Sequence, residues 1–186
     1  MLTIIGSHLE TLSLNSFIID PKSPAAQQEV KKLKEILLGE GFFLLEDHGV
    51  ENEIIEKAYE QSEMFHNFDD DDPRKQATHY RYAHFGRGWS PCGEEPAYSA
   101  GTKATCSAFD ICYEIAEVDT EHENYGPNLW PPEMLEFRKH VYDYYLKFSE
   151  LEQKVANAIE EALGLDKDHI TSKMTERSPS TMRLIF

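Results

Sequence analysis

Gly41-Phe42-Phe43-Leu44-Leu45-Glu46-Asp47-His48-Gly49-Val50 is the stretch from which the arrangement of the chain can be read. Four apolar residues run without polar alternation between a glycine that can end a helix and a His-Gly that can turn the chain. The run predicts a short strand, residues 42–46, buried on both faces. Helical periodicity precedes it and resumes after it, so the first half reads helix, strand, tight turn, helix. His48 at the turn has two readings. A histidine beside a turn commonly satisfies backbone groups there, and it can also serve as a metal ligand or base.

Upstream, Leu2 to Ile5 and Phe17 to Ile19 are short apolar pieces suited to strands or edge segments. Ser23-Pro24 supplies a helix N-cap followed by proline at the first helical position. Val30, Leu33, Ile36 and Leu37 then fall at helical spacing with lysines opposite, and Gly39 and Gly41 offer C-terminal caps. Downstream, a second helix is predicted from about Asn52 to Phe65, burying Ile54, Ile55, Ala58, Tyr59, Ser62 and Phe65. Asp69-Asp70-Asp71-Asp72-Pro73 ends it. Four consecutive aspartates read as a solvated loop, because calcium needs spaced carboxylates and a turn glycine.

Residues 78–105 form an irregular stretch rich in aromatics and arginine, among them His79, Arg81, Tyr82, Arg87 and Trp89. Arginine forks onto carboxylates while rings exclude water, which suits a pocket wall. A surface loop of stacked Arg and Tyr fits the same composition. Cys106 to Tyr113 reads as a strand, and residues 126–132 (GPNLWPP) as a rigid turn with a bulky anchor. From Glu133 to Leu163 apolar residues recur at helical spacing, giving a helix of roughly 30 residues, on the order of 45 Å. Gly164 closes it, a short helix near 167–175 follows, and Thr181 to Phe186 reads as a strand.

The 186 residues suffice for one domain with a sizeable core. A formal net charge of −16 argues against nucleic acid and against anionic membrane surfaces. No apolar run approaches the roughly 20 residues of a membrane span, and the first dozen residues lack the basic start and apolar core of a signal peptide. Cys92, Cys106 and Cys112 form no CxxC pair, which points to reduced thiols in the cytoplasm.

Chemistry-bearing motifs are sparse. An iron facial triad needs His-x-Asp or His-x-Glu plus a distant His. Only His8-Leu9-Glu10 has that spacing, in a weakly patterned segment. HExxH, GxGxxG, the P-loop and the GxSxG elbow are absent, and no cysteine and histidine spacing suits structural zinc. The residues alone show no complete catalytic constellation and no metal ligands.

Several stretches taken together resemble a known family. GFFLLEDHGV is similar to the Gly-Phe-Phe-x-x-x-x-His-Gly signature in the N-terminal region of isopenicillin N synthase-like 2-oxoglutarate and iron(II)-dependent oxygenases. Arg87-Gly88-Trp89-x-Pro91-x-Gly93-x-Glu95 resembles that family's Arg-Gly-Tyr-x-Pro-x-Gly segment. Phe109-Asp110-Ile111 and Gly126-Pro127-Asn128-Leu129-Trp130-Pro131 resemble its Phe-Asp and Gly-x-Asn-x-Trp-Pro motifs. Ala162 to Leu165 and Met182 to Phe186 also match in order. The resemblance spans about residues 17–186.

The resemblance implies an α+β chain: N-terminal helices, a long supporting helix and the first strands of a double-stranded β-helix (jelly roll), as a single incomplete domain over residues 1–186. About 1–105 would be the helix–strand region with its pocket loop, and about 106–186 the first core strands with the long helix. Function would be that of an oxygenase oxidising a small-molecule substrate with Fe(II) and 2-oxoglutarate. The family's His-x-Asp, distal His and Arg-x-Ser motifs have no counterpart here, so this chain alone is expected to be inactive. A truncated, non-enzymatic module binding a small ligand or a partner is the other reading. With only about four strands expected, the isolated chain would fold poorly or self-associate.

Residue roles follow from the same resemblance. Arg81, Tyr82 and Arg87, on a loop over the site's mouth, become substrate-contact candidates. Arg183 lies in the last strand, where alternation puts Met182, Leu184 and Phe186 on one face and Thr181, Arg183 and Ile185 on the other. An arginine in an apolar strand needs an acid. Either it forms an internal ion pair, or it faces a cavity and meets a carboxylate of 2-oxoglutarate or of the substrate.

Overall fold

The computed structural model describes residues 9–83, 86–95, 101–116, 126–174 and 180–186. It is mixed helix and strand and divides into two compact units. One comprises residues 1–50 and 148–175, the other residues 51–147 and 176–186. The units thus interleave along the chain. Leu2 to Ile5, His8 and Ser178-Pro179 lie outside the described residues.

In the first unit, β1 (Glu10–Ser13) pairs in parallel with β2 (Phe43–Glu46), with Leu12 opposite Leu45. Between them run α1 (Asn15–Ile19) and α2 (Pro24–Leu38). Ser23 caps α2 as its position predicts, its Oγ accepting from the Ala26 N–H at 3.2 Å. Leu12, Leu14, Phe17, Val30, Leu33 and Ile36 form the core with Ala158 and Ala162.

Two expectations are corrected here. Phe17 to Ile19 is helical, because Glu29 accepts the Ser16 and Phe17 N–H groups and anchors the start of a turn. Second, β2 is not buried on both faces. Phe43 and Leu45 pack on the core while Leu44, on the opposite face of the strand, is 54% exposed, so the core covers one face of β2. His48 takes the backbone role, its Nδ1 accepting from the Val50 N–H at 3.1 Å.

In the second unit, α3 (Asn52–His66) is followed by α4 (Pro73–Gln76) and a 3-10 turn at Tyr80–Tyr82. Ala58, Ser62, Phe65 and His66 are the buried residues of α3. Tyr59, expected in that stripe, is exposed. An antiparallel sheet has the order β3 (Gly88–Ser90), β4 (Ala108–Ile111), β5 (Met182–Ile185). The long helix α5 (Leu135–Leu163) contributes Phe137, Val141 and Tyr145 to this unit's core and its later residues to the first unit's. Phe65 and Phe137 meet Phe109 edge-on at ring-centroid distances of 5.0 Å.

The Gly-x-Asn-x-Trp segment has a physical role at the end of β4. Asn128 Oδ1 accepts from the Cys112 N–H at 2.9 Å. Its Nδ2 donates to Cys112 O at 2.8 Å and to Glu114 Oε2 at 2.9 Å. The amide thus takes over both backbone groups of a residue just past the ladder. Asn128→Ala leaves them buried without that partner and is expected to cost about 2–3 kcal/mol in urea unfolding. A loss below about 0.5 kcal/mol, the level of an ordinary surface change, would refute this role.

Candidate functional site

The candidate groups of the second unit collect around the β3–β4–β5 sheet and the turn before it. That turn begins at His79, whose Nδ1 accepts from the Arg81 N–H at 3.3 Å. His79 is buried, with its ring edge-on to Trp89 at 5.5 Å. Its Nε2 lies 3.3 Å from Glu94 Oε2 and against the Arg81 guanidinium. Glu94 is also 3.8 Å from Arg81 and accepts from the Tyr80 hydroxyl, so the phenol is held protonated above its ordinary range. Arg81 and Tyr82 present exposed side chains.

Arg87 differs from them. It is 2% exposed and sits inside the fold. The next residue explains the tight passage there. Gly88 has φ +91°, and a Cβ on it would lie 2.4 Å from the Thr78 carbonyl oxygen. The Trp89 N–H donates to that same oxygen at 2.7 Å. Only glycine fits so close a backbone approach in the left-handed region, which is the physical content of the Arg-Gly-Trp segment.

Arg183 lies on β5 opposite Asp110 of β4. Its Nε and Nη2 donate to the two Asp110 oxygens at 2.8 and 2.6 Å, and its Nη1 and Nη2 donate to Glu95 at 2.8 and 3.1 Å. The ion-pair alternative is therefore present in the fold, with two acids on one guanidinium. These bonds hold Arg183 protonated, Asp110 making the largest contribution. Burial raises the Asp110 carboxyl above its usual range despite the arginine. Met182 and Leu184 pack toward the core, whereas Arg183 and Ile185 point the other way. Arg183 also lines a groove of about 690 Å³ together with Glu56, Tyr59, Glu63, Tyr144 and Phe186.

The structure thus brings Arg183 together with Glu95 and Asp110, and Arg81 with His79 and Glu94. Arg87 is buried at the start of β3. Sequence reading did not single out Glu94, Glu95 or Asp110 as partners. The signal available was the need of a strand arginine for an acid, with Glu95 and Asp110 both inside the quoted motifs. His8, half of the His-x-acid pair, lies outside the described residues. Among the described residues no three His, Cys, Asp or Glu side chains gather as a metal site.

Residues 9–133 match the family described as the non-haem dioxygenase in morphine synthesis, N-terminal. The chain is 26% identical over 172 residues to azadirone synthase LFS of Melia azedarach, covering 90% of this chain and 50% of that protein. It is 23% identical over 187 residues to a 2-oxoglutarate-dependent dioxygenase of Didymella fabae, covering 96% and 56%. The chain therefore spans about half the length of the curated relatives it matches. Among solved structures, a 2OG-Fe(II) oxygenase family protein from Caulobacter crescentus superposes with TM-score 0.76 at 20% identity, over 96% of this chain and 55% of that one. A full-length Neurospora crassa protein, solved in complex with alpha-KG, gives 0.74 at 17% identity, over 95% and 53%. Such likenesses show the fold, and the match over residues 9–133 shows the family: the chain belongs to the non-haem dioxygenases through their N-terminal region.

Proposed function

We propose that this chain is the N-terminal part of a non-haem iron(II), 2-oxoglutarate-dependent oxygenase that oxidises a small molecule. The observation that carries the reading is the match of residues 9–133 to an N-terminal family region. Coverage of about half of each relative supports it. In this reading β3, β4 and β5 are first strands of a jelly roll and α5 is its supporting helix. Residues 1–186 are one incomplete domain of the whole enzyme, with the pocket loop before about residue 105. The acidic balance of charge speaks against nucleic acid and anionic membrane partners, the three cysteines without a CxxC pair favour a cytoplasmic protein, and among the described residues no helix is long and apolar enough to cross a membrane.

The described residues do not fit an iron centre, since no three potential ligands converge. Oxidation is assigned to groups outside them, and support and ligand contacts to this stretch. Arg183 is the cofactor-side candidate. It lines the groove, and four hydrogen bonds fix its guanidinium, leaving one N–H for a ligand carboxylate. Arg81 and Tyr82 are supported as substrate contacts by their exposure. Burial of Arg87 favours support of the loop, so in the whole enzyme Arg87→Ala is expected to lower stability along with any change in KM.

Iron(II) titration and succinate release from 2-oxoglutarate test the proposal, on the 186-residue chain and on the natural protein. The natural protein is expected to release succinate. The 186-residue chain is expected to bind iron no better than scattered histidines allow. Tight stoichiometric iron binding by the 186-residue chain would put the metal site within it. A natural protein without turnover would favour the non-enzymatic binding module.

A further inference from the structure

His66, at the C-terminal end of α3, is 5% exposed and plays no part in the site described above. Its Nδ1 lies 3.1 Å from Ser107 Oγ. That hydroxyl accepts from Trp89 Nε1 at 2.9 Å and donates to Ser90 O at 3.3 Å. With its one proton committed to Ser90, Ser107 takes the imidazole as a donor through Nδ1. Nε2 is then the bare nitrogen of a neutral ring, and it is buried with no hydrogen-bond partner. The Phe186 ring stacks parallel on the imidazole at 5.2 Å, and Phe65 meets it edge-on at 5.4 Å.

The charges facing the ring are Lys75 and Asp70. The Lys75 ammonium, carried by α4, donates to the His66 carbonyl at 2.9 Å and to Asp70 at 3.0 Å. From just past β5 comes the ring of Phe186, and from the segment before β4 the hydroxyl of Ser107, both uncharged side chains. The cation therefore stands at the ring's own backbone, and the acid is spent on the lysine. A proton added to Nε2 would sit between aromatic rings with no acceptor. Buried charge of that kind is relieved by opening the structure.

What opens is specified by the contacts. Phe186 is held by the stack on His66 and by a mutual backbone pair with Ser107, at 2.9 and 3.0 Å. We propose that His66 is an acid-sensitive latch on the end of β5: protonation of Nε2 expels the ring, breaks the Phe186 stack and releases the Ser107–Phe186 backbone pair. This inference goes beyond the oxygenase reading and holds or fails independently of it, because it concerns neither iron nor 2-oxoglutarate.

The direction of the pH effect follows. Burial first, and Lys75 second, lower the imidazole from 6.5 to about 4. The unfolded or opened chain then binds the proton more tightly than the closed one. Stability supplied by the latch is complete above about pH 6.5 and is lost as the pH falls toward 4.

The test is an NMR pH titration of the natural protein from pH 7.5 to 4. It follows the His66 ring and the Ser107 and Phe186 amides, alongside His66→Gln and His66→Phe. In the parent chain the two amide signals are expected to lose their folded positions over the same range in which His66 takes up its proton, while the Trp89 and Ile111 amides stay. In both variants that step should vanish. A His66 ring that titrates near 6.5 with the two amides unmoved would overturn the latch. So would amide loss at the same pH in parent and variants. The parent titration decides the point even if a variant fails to fold.

Discussion

Lys75→Met is expected to lower the stability of the second unit by about 3 kcal/mol, or roughly 6–12 °C in thermal midpoint for a chain of this size. Lys75 is 2% exposed, an uncommon place for an ammonium group. It is tolerated there because every donor has an acceptor: Phe68 O at 2.6 Å, His66 O at 2.9 Å and Asp70 Oδ1 at 3.0 Å. The His66 carbonyl belongs to the last turn of α3 and has no acceptor role left inside the helix, and the Phe68 carbonyl lies just past the helix end. The ammonium also lies 5.2 Å from the Trp89 ring centroid. Methionine keeps the length and the apolar stem, so the loss reports on the charge and its bonds. Lys31→Met is the control. Its pair with Glu35 spans 3.9 Å between side chains 78% and 66% exposed, and such pairs contribute little. Equal midpoints for the two variants would show that the buried ammonium holds nothing.

Lys75 also marks where sequence reading stops. In PRKQ it is indistinguishable from a solvated lysine, and only the return of the chain over α3 buries it. Elements governed by local rules were legible. Ser23-Pro24 starts α2, and the long periodic stretch is α5 within two residues of the expected start. A four-residue apolar run, by contrast, has the same pattern whether one face or two are covered, so the exposure of Leu44 depended on partners the run itself does not encode. Tyr59 was misplaced for a related reason, since an aromatic can flank a buried stripe without entering it. In the site, Arg81 and Arg87 sit in similar composition six residues apart, yet one is exposed and the other buried. The passage of β3 beside Thr78 separates them. Motif resemblance located the Phe-Asp and Gly-x-Glu segments, but that Asp110 and Glu95 converge on Arg183 is a property of strand register.

That convergence changes what Arg183→Leu should do. Leucine removes the guanidinium and leaves Asp110, whose side chain is 7% exposed, without the partner that takes both its oxygens. Breaking a buried pair from one side costs more than the pair contributes, because the remaining charge stays desolvated. The arginine side chain is 41% exposed, so solvent offsets part of this, and the expected loss is about 2–3 kcal/mol at neutral pH. A ligand-binding role alone would have left the thermal midpoint nearly unchanged. The pH dependence identifies the cause. Burial already raises the Asp110 carboxyl, and Arg183 is the first opposing influence. Without Arg183 the carboxyl rises further, so the unfolded state releases its proton first as pH increases. The variant's deficit should therefore be small where Asp110 is protonated in both states and grow as the pH rises toward 7. Asp110→Asn in the Arg183→Leu background removes the stranded charge and should recover much of the loss at pH 7. Thermal unfolding of the parent, the single and the double variant at pH 5 and pH 7 checks this. A deficit that is equal at both pH values, or that Asp110→Asn does not reduce, would mean that the strand tolerates the bare carboxylate. In that case Arg183 would be available to a ligand at little structural cost, with Glu95, the more exposed of its two acids, the one a ligand carboxylate would displace.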